Sequence, residues 1–92
     1  MKEINDRKEI KLPALVDCYA TWCGPCKMLT PILESIEEDF SIVHFYKANI
    51  EEVEIPYEMM SVPTVYILNG WEPVIITGVN PADTYKDALF DI

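Results

Sequence analysis

Ninety-two residues, half of them hydrophobic and a quarter charged, are enough for one compact core. They leave no room for a second domain and lack the apolar-poor signature of disorder. Sixteen acidic residues against seven basic give a formal net charge of -9, a field that repels nucleic acid and anionic lipid surfaces.

Residues 1–12 are mostly polar, with Ile4, Ile10 and Leu12 too sparse for an amphipathic pattern, and predict no more than a short helical turn. No apolar run in the chain approaches the roughly 18 residues of a spanning helix. The opening "MKEINDRKEIK" carries charges in place of a signal peptide's apolar segment, so the expected location is the cytoplasm. "LPALVDCYA" (12–20) is almost continuously apolar, as a central strand covered on both faces by helices would be. Only Asp17 interrupts it.

After Gly24 and Pro25, "CKMLTPILESIEEDF" places Met28, Leu29, Ile32, Leu33, Ile36 and Phe40 at helical spacing toward a core. Pro31 lacks an amide donor there and predicts a kink. "SIVHFYKANI" (41–50) reads as a strand, and the acidic "EEVEIPYEMM" as one or two irregular helical turns. "VPTVYILNGWEPVIITG" predicts a hairpin about Asn69-Gly70, a pair favoured where both turn residues take positive φ. "NPADTYKDALFDI" predicts a closing helix with Asn80 as N-cap, Pro81 at its first position, and Tyr85, Leu89 and Phe90 on one side. The order β-α-β-turn-β-β-α begins with a parallel crossover and ends in an antiparallel hairpin. It implies a small mixed α/β sheet with helices on both faces, as one domain over residues 1–92.

Cys18, Cys23 and Cys26 are too few and too close for a framework of stapling disulfides. A structural zinc site needs a second ligand pair beside Cys23 and Cys26, and the remaining candidates, Cys18 and His44, lie inside predicted strands. An iron–sulfur cluster normally wants four thiolates, and a c-type haem wants His at position 27, which is Lys27.

A redox pair is the use that fits the neighbours, because the motif follows a buried strand and opens a helix. The free amides and dipole of a helix start stabilise an anion on Cys23, lowering its thiol pKa below the usual ~8.5 and making it the predicted nucleophile. Cys26, one turn further on and more shielded, is the predicted resolving thiol. Asp17 has two readings. It is a base for Cys26, aided by a pKa raised through desolvation, or it is a strand-end carboxylate that meets solvent or pairs with Lys47.

"WCGPCK", preceded by "LVDCYA" and followed by a helix with a proline five residues after the second cysteine, resembles the thioredoxin family. "SVPT" at 61–64, the "LNG" hairpin and Gly78 fall where that family places corresponding features, so the resemblance spans roughly residues 12–91. It implies a thioredoxin-like fold with a four- or five-stranded mixed sheet flanked by helices. It implies Cys23 as attacking thiol, Cys26 as resolving thiol and Asp17 as the buried acid beneath them. Trp22 would form part of the surface around Cys23 that meets substrate, and Gly24 and Pro25 would set the local geometry there, in a family that tends toward the reducing end. Pro63 would be a cis proline facing the disulfide, Val62 would offer backbone groups to an extended substrate, Lys47 would lie near Asp17, and Gly78 would allow close approach. No bound cofactor is implied, since the Cys23-Cys26 pair itself carries the electrons. Disulfide-containing proteins are the expected substrates and a thioredoxin reductase or equivalent the expected donor.

The family usually has a further strand and helix ahead of "LVD", for which about a dozen residues remain. Without that strand, residues 42–48 would form a sheet edge able to pair with a second copy. Otherwise a monomer is expected. Tyr19 stands where many members have Trp, a packing change only. By strand alternation Cys18 points away from Asp17 as a small buried hydrophobe. Met59 is expected in the core, and Met60 either there or on a pliant apolar rim. Alternatives within the fold are a glutaredoxin-like or isomerase-type exchanger, and outside catalysis a non-catalytic interaction module.

Overall fold

The computed structural model describes residues 1–55 and 61–91. In chain order it forms β1 (Lys2–Glu3), a 3-10 turn (Arg7–Glu9), β2 (Ala14–Tyr19), α1 (Gly24–Glu37), β3 (His44–Asn49), β4 (Thr64–Leu68), β5 (Val74–Thr77) and α2 (Ala82–Phe90). The sheet has five strands in the order β1-β3-β2-β4-β5. β3 runs parallel to both β1 and β2, whereas β4 is antiparallel to β2 and β5 to β4.

The expected first strand is therefore present, though only two residues long. Lys2 registers with Tyr46 and Glu3 with Lys47, and the Ile4 amide continues the ladder by donating to the Lys47 carbonyl at 2.9 Å. Part of β3 is covered where an open edge would otherwise invite a second copy. Two side chains that alternate across the strand hold it in place. Met1 packs on the core of one sheet face, and Ile4, 1% exposed, enters the core of the other. The short helical turn expected near the start is the Arg7–Glu9 turn, closed by a capping box in which Asp6 accepts from the Lys8 amide at 2.8 Å and Glu9 from the Asp6 amide at 2.9 Å.

Helices on both faces were expected from the apolar run of β2, but among the described residues both α-helices pack on one face. There Leu29, Leu33 and Ile36 of α1 and Tyr85 and Leu89 of α2 meet Leu15, Phe45, Val65 and Ile67. The opposite face, with Ala14, Val16, Cys18, Tyr46, Ala48, Tyr66 and Leu68, is covered by Ile4, Ile10, Ile50, Val53 and Ile55 from non-helical chain. Loop side chains thus do the covering that a helix would do, which explains why β2 reads as buried on both sides. Met28 is 64% exposed and does not face the core, because it falls outside the arc set by Leu29, Leu33 and Ile36. The helix runs uninterrupted through Pro31, which lies on its exposed side.

The β4–β5 connection is longer than a two-residue turn. Gly70 takes φ +95°, but among the described residues no non-glycine residue has positive φ, so Asn69 does not form the paired turn expected of Asn-Gly. Instead the Asn69 side chain accepts from the Trp71 amide at 3.0 Å, and the strands pair from Ile67 and Val74. Pro81, not Asn80, is the N-cap of α2. Asn80 uses its side-chain amide to donate to the Thr77 carbonyl at 3.1 Å and the Gly78 carbonyl at 3.3 Å, which diverts it from capping. Within the acidic segment, the amides of Glu52 and Val53 turn back to the Asn49 carbonyl. Met59 and Met60 lie outside the described residues.

Candidate active site

β2 ends at Tyr19 and the chain turns through Ala20 to Cys23, whose amide donates to the Ala20 carbonyl at 3.2 Å. This turn places Cys23 as the N-cap of α1, in extended conformation with φ -93° and ψ 108°. Gly24 and Pro25 open the helix, where the missing proline amide costs no hydrogen bond. In place of the usual capping oxygen, the Cys23 Sγ accepts from the Cys26 amide at 3.2 Å. Cys23 and Cys26 are joined as a disulfide across a Cα separation of 5.4 Å.

A sulfur at a helix start, within reach of a free backbone amide, is where a thiolate is stabilised once the disulfide opens. Exposure does not separate the two cysteines as expected, since Cys23 is 4% and Cys26 3% exposed. What separates them is position: one caps the helix and the other lies inside its first turn.

Around the pair, Trp22 is 70% exposed, and Gly24 and Pro25 are also at the surface. Val62 packs against the small cluster of Ala20, Cys23 and Cys26, and the Val62–Pro63 peptide is cis. Gly78 donates its amide to the Pro63 carbonyl at 2.8 Å. A Cβ at Gly78 would meet nothing within 4 Å, so glycine is required there by its φ of +79° and not by crowding. The Tyr85 hydroxyl, donating to the Gly78 carbonyl at 3.1 Å, fastens this turn to α2.

Asp17 lies on the sheet face that α1 covers, fully buried, and neither carboxylate oxygen has a hydrogen-bond partner among the described residues. Burial pushes its pKa up to about 7, against a smaller downward pull from Lys47 and with a further upward push from Glu3. Lys47 is its registered neighbour on β3, yet its ammonium lies over the Tyr19 ring, 4.7 Å from the centroid. Asp17 therefore does not meet solvent, and among the described residues it makes no ion pair with Lys47 within 4.0 Å. A cleft of about 350 Å³ opens between β2, β3 and α1, lined by Tyr19, Ala20, Thr21, Cys26, Lys27, Thr30 and Lys47, and so reaches both Cys26 and the neighbour of Asp17.

Cys18 lies on the opposite face, fully buried, its thiol pushed up to about 12 by burial and by Asp17, and it takes no part in the site. His44 is exposed and stacks on Tyr46. Among the described residues no group of three or more His, Cys, Asp or Glu is arranged to hold a metal ion. Two contributors escaped the sequence reading. Tyr19 is more than a packing change, because its hydroxyl donates to Glu3 at 2.7 Å while its ring holds Lys47, and Glu3 becomes a neighbour only through the β1–β3 pairing.

A cysteine pair at the start of a helix that follows a buried strand, with Val62 of a cis Val62–Pro63 peptide packed alongside, defines a thiol–disulfide oxidoreductase. The thioredoxin family model matches residues 2–90. Thioredoxin-1 of Saccharomyces cerevisiae is 42% identical over 72 residues, covering 74% of this chain and 70% of that protein. The thioredoxin of Chlamydia caviae is 42% identical over 74 residues, covering 76% and 72%. Among solved structures, oxidised mitochondrial thioredoxin 3 of S. cerevisiae superposes with a TM-score of 0.83 at 26% identity, covering 100% of this chain and 95% of that one. The chain belongs to the thioredoxin family.

Proposed function

We propose that this protein reduces disulfides in other proteins and is itself returned to the dithiol by a thioredoxin reductase or an equivalent donor. The Cys23 thiolate attacks one sulfur of a substrate disulfide, forming the Cys23–substrate bond as the substrate's own S–S bond breaks and its other sulfur leaves and takes a proton. Cys26 then loses its proton to Asp17 and attacks the Cys23 Sγ. The Cys23–Cys26 bond forms, and the substrate's second sulfur leaves and takes the proton held by Asp17. With the proton that Cys23 released to solvent on ionising, which matches the one taken up by the first leaving sulfur, two electrons and two protons pass in all from the cysteine pair to the substrate.

Trp22, Gly24, Pro25, Val62, Pro63 and Gly78 form the surface that meets the substrate. Lys47 supports Asp17, and no bound cofactor takes part. The observation that carries the reading is the capping of α1 by the Cys23 sulfur with the unpartnered, buried Asp17 on the strand that leads to it. Residues 1–92 act as one domain and as a monomer, a state supported by β1 lying on β3. The cysteine usage, one buried thiol beyond the redox pair, suits the reducing cytoplasm.

Trapping tests the division of roles. Cys26→Ser is expected to accumulate disulfide-linked substrate on Cys23, while Cys23→Ser accumulates none; absence of adducts with the first variant overturns the assignment. In a dithiothreitol-coupled insulin assay the wild type should accelerate reduction, and no acceleration by folded protein would favour a non-catalytic module. A potential near the ~-270 mV of thioredoxin supports a reductase, whereas one near the ~-180 mV of protein disulfide isomerase points to an isomerase-type exchanger.

A further inference from the structure

Three strands align a row of charges on the face that α1 covers. Glu3 of β1 registers with Lys47 of β3, and Lys47 registers with Asp17 of β2, so a single ammonium is flanked by a carboxylate on either side. Among the described residues neither carboxylate comes within 4.0 Å of it. Tyr19 fixes the arrangement. Its ring carries the Lys47 ammonium, and its hydroxyl donates to the Glu3 carboxylate at 2.7 Å. That phenol is pushed up to about 12 by burial and by Glu3, so it remains a donor throughout the pH range in which Asp17 titrates.

Glu3 is held from below as well, because its neighbours Met1 and Ile4 are packed into opposite cores. The remaining charged and titratable groups around Asp17 are few. Cys18 lies beside it on β2, Glu52 acts on Tyr19 from the segment after β3, Cys26 and Lys27 reach the cleft from α1, and β4 offers only Val65 in register.

We propose that Glu3 is a positioning residue for thiol exchange: held by the Tyr19 hydroxyl on the far side of Lys47, its carboxylate shares the ammonium's field with Asp17 and so governs how readily Asp17 takes the Cys26 proton. The proposal rests on Asp17 being the proton acceptor in the resolving step. Glu3 is exposed, and its carboxylate, two strands away, lies roughly 10 Å from Asp17, about one Debye length at 0.1 M salt, so it acts on Asp17 most strongly at low ionic strength and needs no contact with substrate. It gives the two-residue first strand a chemical part in addition to covering the edge of β3.

Glu3→Gln keeps an acceptor for Tyr19 and removes only the charge. At low ionic strength the titration midpoint of the Asp17 carboxyl, followed by carbon NMR in the oxidised protein, is expected to fall by about half a unit. The rising limb of the pH profile for resolution of the mixed disulfide should move the same way, with its plateau lowered by less than about twofold, as a slightly weaker base requires. Glu3→Lys, which reverses the charge, should move both further, and Tyr19→Phe, which releases Glu3 but keeps the ring under Lys47, should move both less. An Asp17 midpoint unmoved in both Glu3 variants overturns the proposal, as does an equal loss of rate at every pH, the mark of a merely structural role. Asp17→Asn separates the two levels. If its pH profile matches the wild type, the proton-acceptor reading fails and the catalytic part of the proposal with it, while the NMR midpoint still tells whether Glu3 governs Asp17.

Discussion

Asp17 holds its proton to about neutral pH because the strand that carries it is buried and supplies no donor to either oxygen. An acid poised there can alternate between accepting and releasing a proton under the conditions in which the cysteines exchange. Asp17→Asn removes that capacity while keeping the shape. The expected result is an about 100-fold slower resolution of the mixed disulfide, the lower end of a general-base contribution, with the initial attack by Cys23 less affected, measured by single-turnover reduction of a disulfide substrate. Equal slowing of both steps would place Asp17 elsewhere in the cycle. The cysteine pair and Asp17 were legible in the chain because spacing and a charge in an apolar run are local signals. Glu3 was not, since nothing near it in sequence marks it and only strand pairing brings it beside Lys47.

At the scale of elements, two short pieces of chain have large consequences. β1 depends on Ile4, whose side chain is almost wholly buried against Val16, Tyr46 and their neighbours. Ile4→Ala should destabilise the protein by about 2–4 kcal/mol in urea unfolding and raise amide exchange at the β1–β3 ladder. The β5–α2 turn depends on Gly78, where a left-handed backbone directs the amide to Pro63. Gly78→Ala meets no steric obstacle, so its cost should be the conformational one, about 1–2 kcal/mol by the same measurement. A much larger loss would mean crowding that the turn does not show. The hairpin and the α2 cap departed from expectation for a shared reason. Asn69 and Asn80 both spend their side chains on nearby backbone groups, a competition that residue preferences alone do not resolve.

For the whole molecule, the raised Asp17 pKa makes stability depend on pH with a definite sign. Its folded value of about 7 lies above the ordinary 3.8, so the folded state binds the proton more tightly. Its contribution is complete below the ordinary value, declines as pH climbs through about 7, and is lost above that. Thermal melting should therefore fall between acid and mildly alkaline pH more steeply in the wild type than in Asp17→Asn. The variant should be the more stable by on the order of 3 kcal/mol above neutrality. Parallel curves would show that Asp17 is solvated in solution.

The sequence by itself determined the mixed α/β class and the redox pair at a helix start and singled out Asp17, because each rests on periodicity, a short motif or one residue out of keeping with its run; the cis proline came only with the resemblance to the thioredoxin family. The tertiary structure decided that both helices share one face, that a two-residue strand lies on β3, and that Glu3, Lys47, Tyr19 and Asp17 form one electrostatic group. Those facts depend on which distant segments pair in register, a choice made by the summed burial of both sheet faces and not by any stretch of chain alone.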